Sequence, residues 1–222
     1  MRFDALIFDF DGVLIESEYV SNLQLAETLT RLGYPTTIED SLANFVGLGG
    51  ADFHGAVEAW IGGPIPQAFH DERHAEDARA LAEGLEAVAG AVGFVRSLPA
   101  DLPVAIASSS TTHWIGTHLG HIGLRSRFSD HIYSGREHVT RGKPAPDIYL
   151  HAANALGVDI ARAAIIEDSP VGATGAVASG AFVIGLAAGC HCSDGHDALL
   201  SATGVHAVAH SFADVAAILG LE

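Results

Sequence analysis

Four carboxylates stand at places in this sequence where an apolar run gives way to polar residues. Asp9 and Asp11 follow the residues ALIF with one residue between them, and Gly12 comes next. Glu167 and Asp168 follow the residues AAII in the second half of the chain. Carboxylates gathered in one place repel each other, and a hard dication bound through oxygen relieves that repulsion. The sequence therefore predicts a Mg²⁺ site where these two segments meet.

Hydroxyl groups and an ammonium group occur in similar positions. Ser108 and Ser109 follow the apolar run PVAIA, and Lys143 lies in the loop RGKPAPD. A metal ion and a lysine together offset the charge of a phosphate dianion, while a hydroxyl and backbone amides fix its orientation. These side chains are suited to binding a small phosphorylated molecule.

The two aspartates of the first segment could divide the work of phosphoryl transfer. Asp9 could attack phosphorus and form an aspartyl phosphate. Asp11 projects to the same side of an extended chain, because side chains two residues apart share a face. It could protonate the leaving oxygen and later take a proton from water. Gly12 would let the backbone turn sharply past the reacting group.

Each of these signals also has an ordinary structural explanation. The first aspartates suit a turn at a strand end, and the serines or the pair Glu167-Asp168 suit the cap of a following helix. A single lysine such as Lys143 is commonly a solvated surface residue. The functional interpretation rests on their joint occurrence, each at an end where ligands bind in an open parallel sheet.

The elements that must position these residues read as alternating strands and helices. Apolar runs suited to strands cover residues 5–10, 103–108, 163–168 and 181–186. Helix candidates cover residues 111–120, 146–156 and 170–179, with Asp147 and Ser169 as expected caps. The strands are apolar throughout rather than alternating, which is typical of a parallel sheet covered on both faces. We therefore predict a doubly wound, Rossmann-like α/β fold.

A helical insert separates the first strand from the rest. Residues 16–88 contain no convincing strand but have amphipathic stretches at 20–33 and 70–88. We predict an α/β core domain from residues 1–15 and 89–222, with residues 16–88 as a small helical domain.

Composition limits the partners. The formal net charge is −16, from 27 acidic and 11 basic side chains, which disfavours nucleic acid and anionic membranes as partners. Cys190 and Cys192 are too close in sequence to join distant parts of the fold. We see no leader peptide and no apolar run long enough to cross a bilayer, so we expect a cytoplasmic protein, by default a monomer.

The motifs, taken in order, resemble those of the haloacid dehalogenase-like hydrolase superfamily. The segments that carry the resemblance are FDFDGVL (8–14), the strand ending at Ser108, RGKPAPD with Lys143, and IIEDSPVGA (165–173). The resemblance implies that Asp9 is the nucleophile and Asp11 the general acid and base. It implies that Ser108 and Lys143 hold the phosphate. Asp168 would ligate Mg²⁺ with the Asp9 carboxylate and the Asp11 carbonyl, and Glu167 would lie close by, through water or directly.

The helical insert resembles the cap of the beta-phosphoglucomutase and phosphoglycolate phosphatase subgroup. Mutases of that subgroup carry an arginine three residues after a glycine; here the glycine is Gly47 and Gly50 stands at the arginine position. They also carry a histidine where this chain has Ser21. We therefore predict a Mg²⁺-dependent phosphatase acting on a sugar, sugar-acid or polyol phosphate, with phosphoglycolate still open. Gly47, Gly50 and Arg73 are candidate substrate residues in the insert.

Two other functions stay open, a sugar phosphomutase and a binding module without activity. Three further patterns are not assigned function. GLGGAD (47–52) lacks the last glycine of a dinucleotide fingerprint, and GREHVTRGKP (135–144) has Pro144 where a P-loop needs a hydroxyl. CHCSDGH (190–196) offers thiolate and imidazole groups, but in a spacing unlike that of usual zinc sites.

Overall fold

A computed structural model of the chain describes residues 3–48 and 50–221. Gly49, part of the stretch GLGGAD (47–52), lies outside the described residues. The chain divides into two compact units. Residues up to Glu16 together with those from Leu85 onward form the core unit, and Ser17–Gly84 form the helical unit.

The core unit is built on six strands. They are β1 (Ala5–Phe8), β2 (Val104–Ser108), β3 (Ile132–Ser134), β4 (Ala163–Glu167), β5 (Phe182–Leu186) and β6 (Ala207–Ala209). All pairs are parallel, and the strand order is β3-β2-β1-β4-β5-β6. The predicted doubly wound α/β fold is confirmed. The four predicted strands are present, and the structure adds the short edge strands β3 and β6.

Eleven helices accompany the strands within the described residues. They are α1 (Ser17–Arg31), α2 (Ile38–Phe45), α3 (Gly50–Ile61), α4 (Gln67–Glu83), α5 (Ala91–Ser97), α6 (Thr112–His121), α7 (Arg125–Phe128), α8 (Asp147–Leu156), α9 (Pro170–Ala178), α10 (His196–Ala202) and α11 (Phe212–Leu219). A short 3₁₀ turn spans Ile160–Arg162.

Of the two predicted helix caps, one is present in the structure and the other is not. Ser169 caps α9 as predicted, since its side chain accepts a hydrogen bond from the Gly172 amide. Asp147 was expected to cap α8 but is its first residue, and Pro146 holds the cap position without a side-chain bond. The reason is a competing partner: both carboxylate oxygens of Asp147 accept hydrogen bonds from Arg141.

The sheet separates two apolar layers, as strand periodicity requires. Leu6 and Phe8 pack into one layer, whereas Ala5 and Ile7 pack into the other. All four are fully buried, and burying a large apolar side chain contributes about 1.5–3 kcal/mol. This two-sided burial explains why β1 is apolar at every position rather than at alternate ones.

The strand order reverses at β1, and this reversal locates the site. The chain runs from β1 to β2 and β3 on one side, then returns to β4 on the other. Ligands of such sheets bind beyond the carboxyl ends of the strands at this point. The carboxyl ends of β1, β2 and β4 carry Asp9, Ser108 and Glu167.

The helical unit has its own small core and a buried polar cluster. Leu25, Leu29, Phe45, Val57 and Phe69 form the apolar core. Glu76, which is 2% exposed, accepts hydrogen bonds from Thr28 and Arg73. The unit contains no strand among its described residues. No described helix of the chain is long and apolar enough to span a membrane.

Candidate active site

The chain after β1 brings Asp9 to the carboxyl edge of the sheet. The Asp9 amide donates to the Ile166 carbonyl (2.9 Å), which continues the pairing of β1 with β4 by one residue. Asp9 is buried, with 7% of the residue exposed. Its buried carboxylate therefore lies beside the end of β4, next to Glu167 and Asp168.

A lysine joins the two carboxylate segments. Lys143 Nζ lies 2.8 Å from Asp9 Oδ1 and 2.6 Å from Glu167 Oε1, and its side chain is 5% exposed. Burial lowers the pKa of Lys143, but the two carboxylates outweigh this and hold the pKa above its usual value. The lysine is therefore charged and held between Asp9 and Glu167.

Glu167 is held by more partners than the lysine alone. Tyr149 Oη donates to Oε1 (2.7 Å), and the Ser169 amide and hydroxyl donate to Oε2 (3.1 and 3.2 Å). Burial raises the pKa of Glu167, but Lys143 and these hydrogen bonds bring it below its usual value. A Cβ atom at Gly172 would overlap this carboxylate. Glu167 is thus ionised and locked against α9.

The three buried carboxylates could hold a cation. One oxygen each from Asp9, Glu167 and Asp168 lie within 4.8 Å of one another. Burial, followed by repulsion from Glu167, raises the pKa of Asp9 well above its usual value. Burial also raises the pKa of Asp168, whose buried Oδ1 has no hydrogen-bond partner among the described residues. Oxygen donors with uncompensated negative charge fit a hard dication such as Mg²⁺.

Gly12 permits the close approach of Asp168 to the β1 loop. Its φ of +74° lies in the left-handed region, and an added Cβ would overlap Asp168 Oδ2. The glycine is needed both for the turn and for the space beside the carboxylate.

Asp11 faces the end of β2 instead of the lysine. Ser110 Oγ donates to Asp11 Oδ2 (2.6 Å), with Ser108 Oγ at 3.3 Å from the same oxygen. Trp114 Nε1 donates to Oδ1 (3.1 Å). Neither Ser110 nor Trp114 was among the predicted site residues. Their positions in the sequence could have suggested them: Ser110 precedes Thr111, the cap of α6, and Trp114 lies in the first turn of that helix, which follows β2.

The predicted serines differ in environment. Ser108 is 1% exposed and accepts a hydrogen bond from the Ser110 amide (3.0 Å). Ser109 is exposed. The structure brings together Asp9, Lys143, Glu167 and Asp168 in one group and Asp11 with Ser108 in another, two residues along the chain from Asp9.

The three candidate substrate residues of the helical unit differ in how closely they are packed: the two glycines have open space beside them, whereas Arg73 is hydrogen-bonded. Gly47 and Gly50 both have positive φ, and an added Cβ would meet nothing within 4 Å at either. The Arg73 guanidinium donates to the Ser21 carbonyl and hydroxyl and to Glu76 Oε2. A role of Arg73 in binding substrate stays a prediction, and its guanidinium already has partners inside its own unit.

Sequence reasoning missed the contact between Asp168 and the loop after β5. His191 Nε2 lies 3.0 Å from Asp168 Oδ2, with both side chains buried. Burial lowers the pKa of His191, but the hydrogen bonds with Asp168 and Cys192 outweigh it and raise the pKa to about 11. His191 belongs to CHCSDGH, the stretch whose spacing was unlike that of a usual metal site.

Comparison with known proteins finds one hydrolase family and, within it, phosphatases of small molecules. The family model described as haloacid dehalogenase-like hydrolase matches residues 3–180. The 6-phosphogluconate phosphatase of Escherichia coli K12 is 27% identical over 88% of this chain and 86% of its own. The fructose-1-phosphate phosphatase YqaB of the same organism is 28% identical over 81% of this chain and 94% of its own.

A solved structure extends the comparison to the fold. A HAD family hydrolase from Deinococcus radiodurans R1, solved with bound phosphate and sodium, superposes with a TM-score of 0.83. It is 32% identical and covers 99% of this chain and 96% of its own. The similarity to this hydrolase, in sequence and in fold, therefore extends over essentially the full chain.

Proposed function

This chain belongs to the haloacid dehalogenase-like hydrolase family and is a phosphoric monoester hydrolase, and we propose that it uses Mg²⁺ and an aspartyl-phosphate intermediate. The substrate class we propose is a small phosphorylated sugar, sugar acid or polyol. The observation that carries the proposal is the placement of Lys143 Nζ between Asp9 and Glu167, with Asp168 alongside.

The proposed chemistry assigns each residue one task. Asp9 attacks phosphorus, so that a P–O bond to its carboxylate forms as the bond to the leaving oxygen breaks. Asp11 donates the proton that the leaving oxygen takes, and later removes a proton from the water that hydrolyses the aspartyl phosphate. Lys143 and Ser108 hold the phosphoryl oxygens, and Ser109 contributes from the same strand end.

The donor set fits a magnesium ion held by Asp9, Asp168 and the Asp11 main-chain carbonyl. When bound, Mg²⁺ supplies positive charge that offsets the phosphoryl oxygens and the carboxylates. Both oxygens of Glu167 already accept hydrogen bonds. The proposal therefore gives Glu167 the task of positioning Lys143 and leaves any contact with the metal to water.

Two observations support the substrate class and the preference for hydrolysis. The relatives named above act, by their names, on phosphorylated gluconate and fructose. The positions where mutases place an arginine and a histidine hold Gly50 and Ser21, and the Ser21 hydroxyl accepts a hydrogen bond from Arg73. We also propose that the helical unit selects the substrate.

The experiment is a panel of sugar, sugar-acid, polyol and short organic phosphates, assayed with Mg²⁺ for both released phosphate and isomerised sugar phosphate. The proposal expects released phosphate to exceed isomerised product, with the highest kcat/KM in the sugar, sugar-acid or polyol group. Isomerisation faster than release would favour the mutase. No release from any member of the panel would favour a binding module.

A further inference from the structure

The loop after β5 holds a cluster of metal-binding side chains for which the proposed phosphatase chemistry has no use. His191 and His196 are buried and Cys192 is half-buried. One donor atom from each of the three lies within 4.8 Å of the other two. Within residues 3–48 and 50–221, the only other such group is the carboxylate cluster of the candidate active site. The chain therefore brings together a second set of ligands with different chemistry.

We propose that His191, Cys192 and His196 form a binding site for a borderline-soft divalent cation such as Zn²⁺, with Asp168 as the fourth ligand. Thiolate and imidazole donors select Zn²⁺ and similar ions, whereas Mg²⁺ takes oxygen donors. Two coordination spheres thus lie side by side and share one carboxylate.

Two donor separations, both measured from His191 Nε2, are close to those around a tetrahedral zinc ion. Zn–S and Zn–N bonds of about 2.3 and 2.0–2.1 Å at a tetrahedral angle put sulfur and nitrogen about 3.5 Å apart. Cys192 Sγ lies 3.5 Å from His191 Nε2. The same geometry puts nitrogen and carboxylate oxygen about 3.3 Å apart, and His191 Nε2 lies 3.0 Å from Asp168 Oδ2. Both separations measured from His191 Nε2 are therefore close to those of a tetrahedral site.

The surrounding chain holds both rings in place. An added Cβ at Gly189 would lie 2.6 Å from Cε1 and Nδ1 of His191, so the ring packs directly on this glycine. His196 Nε2 donates to the Asp168 carbonyl at 2.6 Å, which leaves the lone pair of a neutral ring on Nδ1. Hydrogen bonds of this kind to the second nitrogen of a histidine are typical around metal sites.

The unusual sequence spacing has a structural reason. His191 and Cys192 are adjacent, and His196 follows after a turn as the first residue of α10, with Gly195 at φ +89° before it. The turn folds the third donor back onto the first two. The fourth donor, Asp168, follows β4 and lies outside CHCSDGH. The spacing within that stretch therefore could not predict it.

Sharing Asp168 links this site to the candidate active site. A cation bound through Asp168 Oδ2 would fix this carboxylate and offset its negative charge, so Zn²⁺ would weaken Mg²⁺ binding at the carboxylate cluster and oppose Mg²⁺-dependent hydrolysis. This link rests on the proposed function, whereas binding of the cation does not.

Cobalt spectroscopy tests the binding directly. Co²⁺ is added to chelator-treated wild-type protein, Cys192→Ser and the matched control Cys190→Ser, which changes an exposed thiol two residues away. We expect the near-ultraviolet thiolate-to-Co²⁺ band in the wild type and in Cys190→Ser but not in Cys192→Ser. Absence of the band in the wild type, its persistence in Cys192→Ser, or its loss in Cys190→Ser would each overturn the site. Circular dichroism of the variants confirms that all three proteins are folded.

Zinc titration then tests the affinity and the link. In competition with a chromophoric chelator, Cys192→Ser should bind Zn²⁺ about tenfold to hundredfold more weakly than the wild type. With Mg²⁺ in excess, Zn²⁺ should inhibit phosphate release by the wild type and Cys190→Ser at concentrations that leave Cys192→Ser active. Cobalt binding without inhibition would overturn the link through Asp168. A protein that binds Co²⁺ through Cys192 but hydrolyses nothing would support the site and count against the proposed function.

Discussion

For single residues, Lys143 illustrates that the sequence can predict a role but not the contacts of the side chain. A role for Lys143 was expected because it lies in the loop RGKPAPD before a helix. That loop is one of four motifs that occur here in the same order as in haloacid dehalogenase-like hydrolases. The partners of Lys143 were not expected: contact with both Asp9 and Glu167 depends on the direction of the side chain. The same holds for Ser110, Trp114 and His191. None of the three was among the predicted site residues, because spacing alone does not show which way a side chain points.

Replacing the proposed nucleophile, Asp9, should stop turnover. Asp9→Asn keeps the shape of the buried side chain but removes the attacking carboxylate, and we expect kcat to fall at least about 10⁴-fold. Phosphate release with saturating Mg²⁺ measures this. Asp101→Asn, at an exposed position, is the control and should retain wild-type activity. Substantial turnover by Asp9→Asn would mean that another group attacks phosphorus.

The proposed task of Glu167 predicts a different result from loss of a metal ligand. Glu167→Gln removes the charge that holds Lys143, so KM should rise and kcat/KM should fall about tenfold to hundredfold, while the Mg²⁺ concentration for half-activation stays unchanged. The free energy of unfolding should fall by about 1.5–3 kcal/mol, the range for a hydrogen bond to a charged group. Exposed Glu83 provides the control, Glu83→Gln. A large change in Mg²⁺ dependence would instead place Glu167 on the ion.

At the scale of elements, burial explains both the successes and the omissions of the sequence interpretation. The four predicted strands, β1, β2, β4 and β5, are apolar runs that are almost entirely buried, and β1, β2 and β4 carry the candidate site residues at their carboxyl ends. The edge strands β3 and β6 have only three residues each, too short for any periodicity to be recognised. In the helical unit, α2 and α3 lie in a segment rich in glycine, which weakens helical patterns.

The turn after β1 provides a sharp test of site geometry. Gly12→Ala introduces both backbone strain at positive φ and an overlap with Asp168. Gly157→Ala is the matched control, since its φ is +72° and an added Cβ would meet nothing within 4 Å. Gly157→Ala should lose about 1 kcal/mol of unfolding free energy from backbone strain, and Gly12→Ala should lose more because the overlap is added to the strain. Only Gly12→Ala should lose Mg²⁺-dependent hydrolysis, measured as phosphate release across a Mg²⁺ titration; equal activity of the two variants would contradict the close packing.

For the whole molecule, the net charge of −16 makes the concentration of negative charge in the site harder to tolerate without a cation. Composition predicted an acidic protein that needs a local positive device, and the structure supplies Lys143 within the carboxylate cluster. The prediction of a helical insert rested on a change in the sequence from strand-helix alternation to helices alone. The substrate was not visible, because selection depends on side-chain positions that no spacing rule gives.

Stability of the whole molecule should depend on Mg²⁺ and pH together. Because burial raises the pKa of Asp9 above its ordinary value of 3.8, the folded protein favours the protonated form. Metal-free protein should therefore lose stability as the pH rises from about 4 through the raised pKa. Mg²⁺ binds the ionised form, so its stabilisation should grow over the same window and reach about 2.7 kcal/mol at 100 times its Kd. Thermal unfolding with Mg²⁺ or with chelator across pH, at matched ionic strength, measures this; an effect independent of pH would contradict the assignment.

The most direct test of the central claim is to detect the phosphoryl group on Asp9. The Asp11→Asn variant should release a good leaving group such as p-nitrophenolate without an acid, yet hydrolyse the aspartyl phosphate slowly. Mixing it with p-nitrophenyl phosphate and Mg²⁺, quenching with acid and analysing its peptides by mass spectrometry should show one phosphoryl group on the peptide that contains Asp9. The group should be absent when Asp9 is also changed to Asn or when Mg²⁺ is removed. Release of p-nitrophenolate with no phosphorylated peptide, or phosphorylation at another residue, would contradict the account.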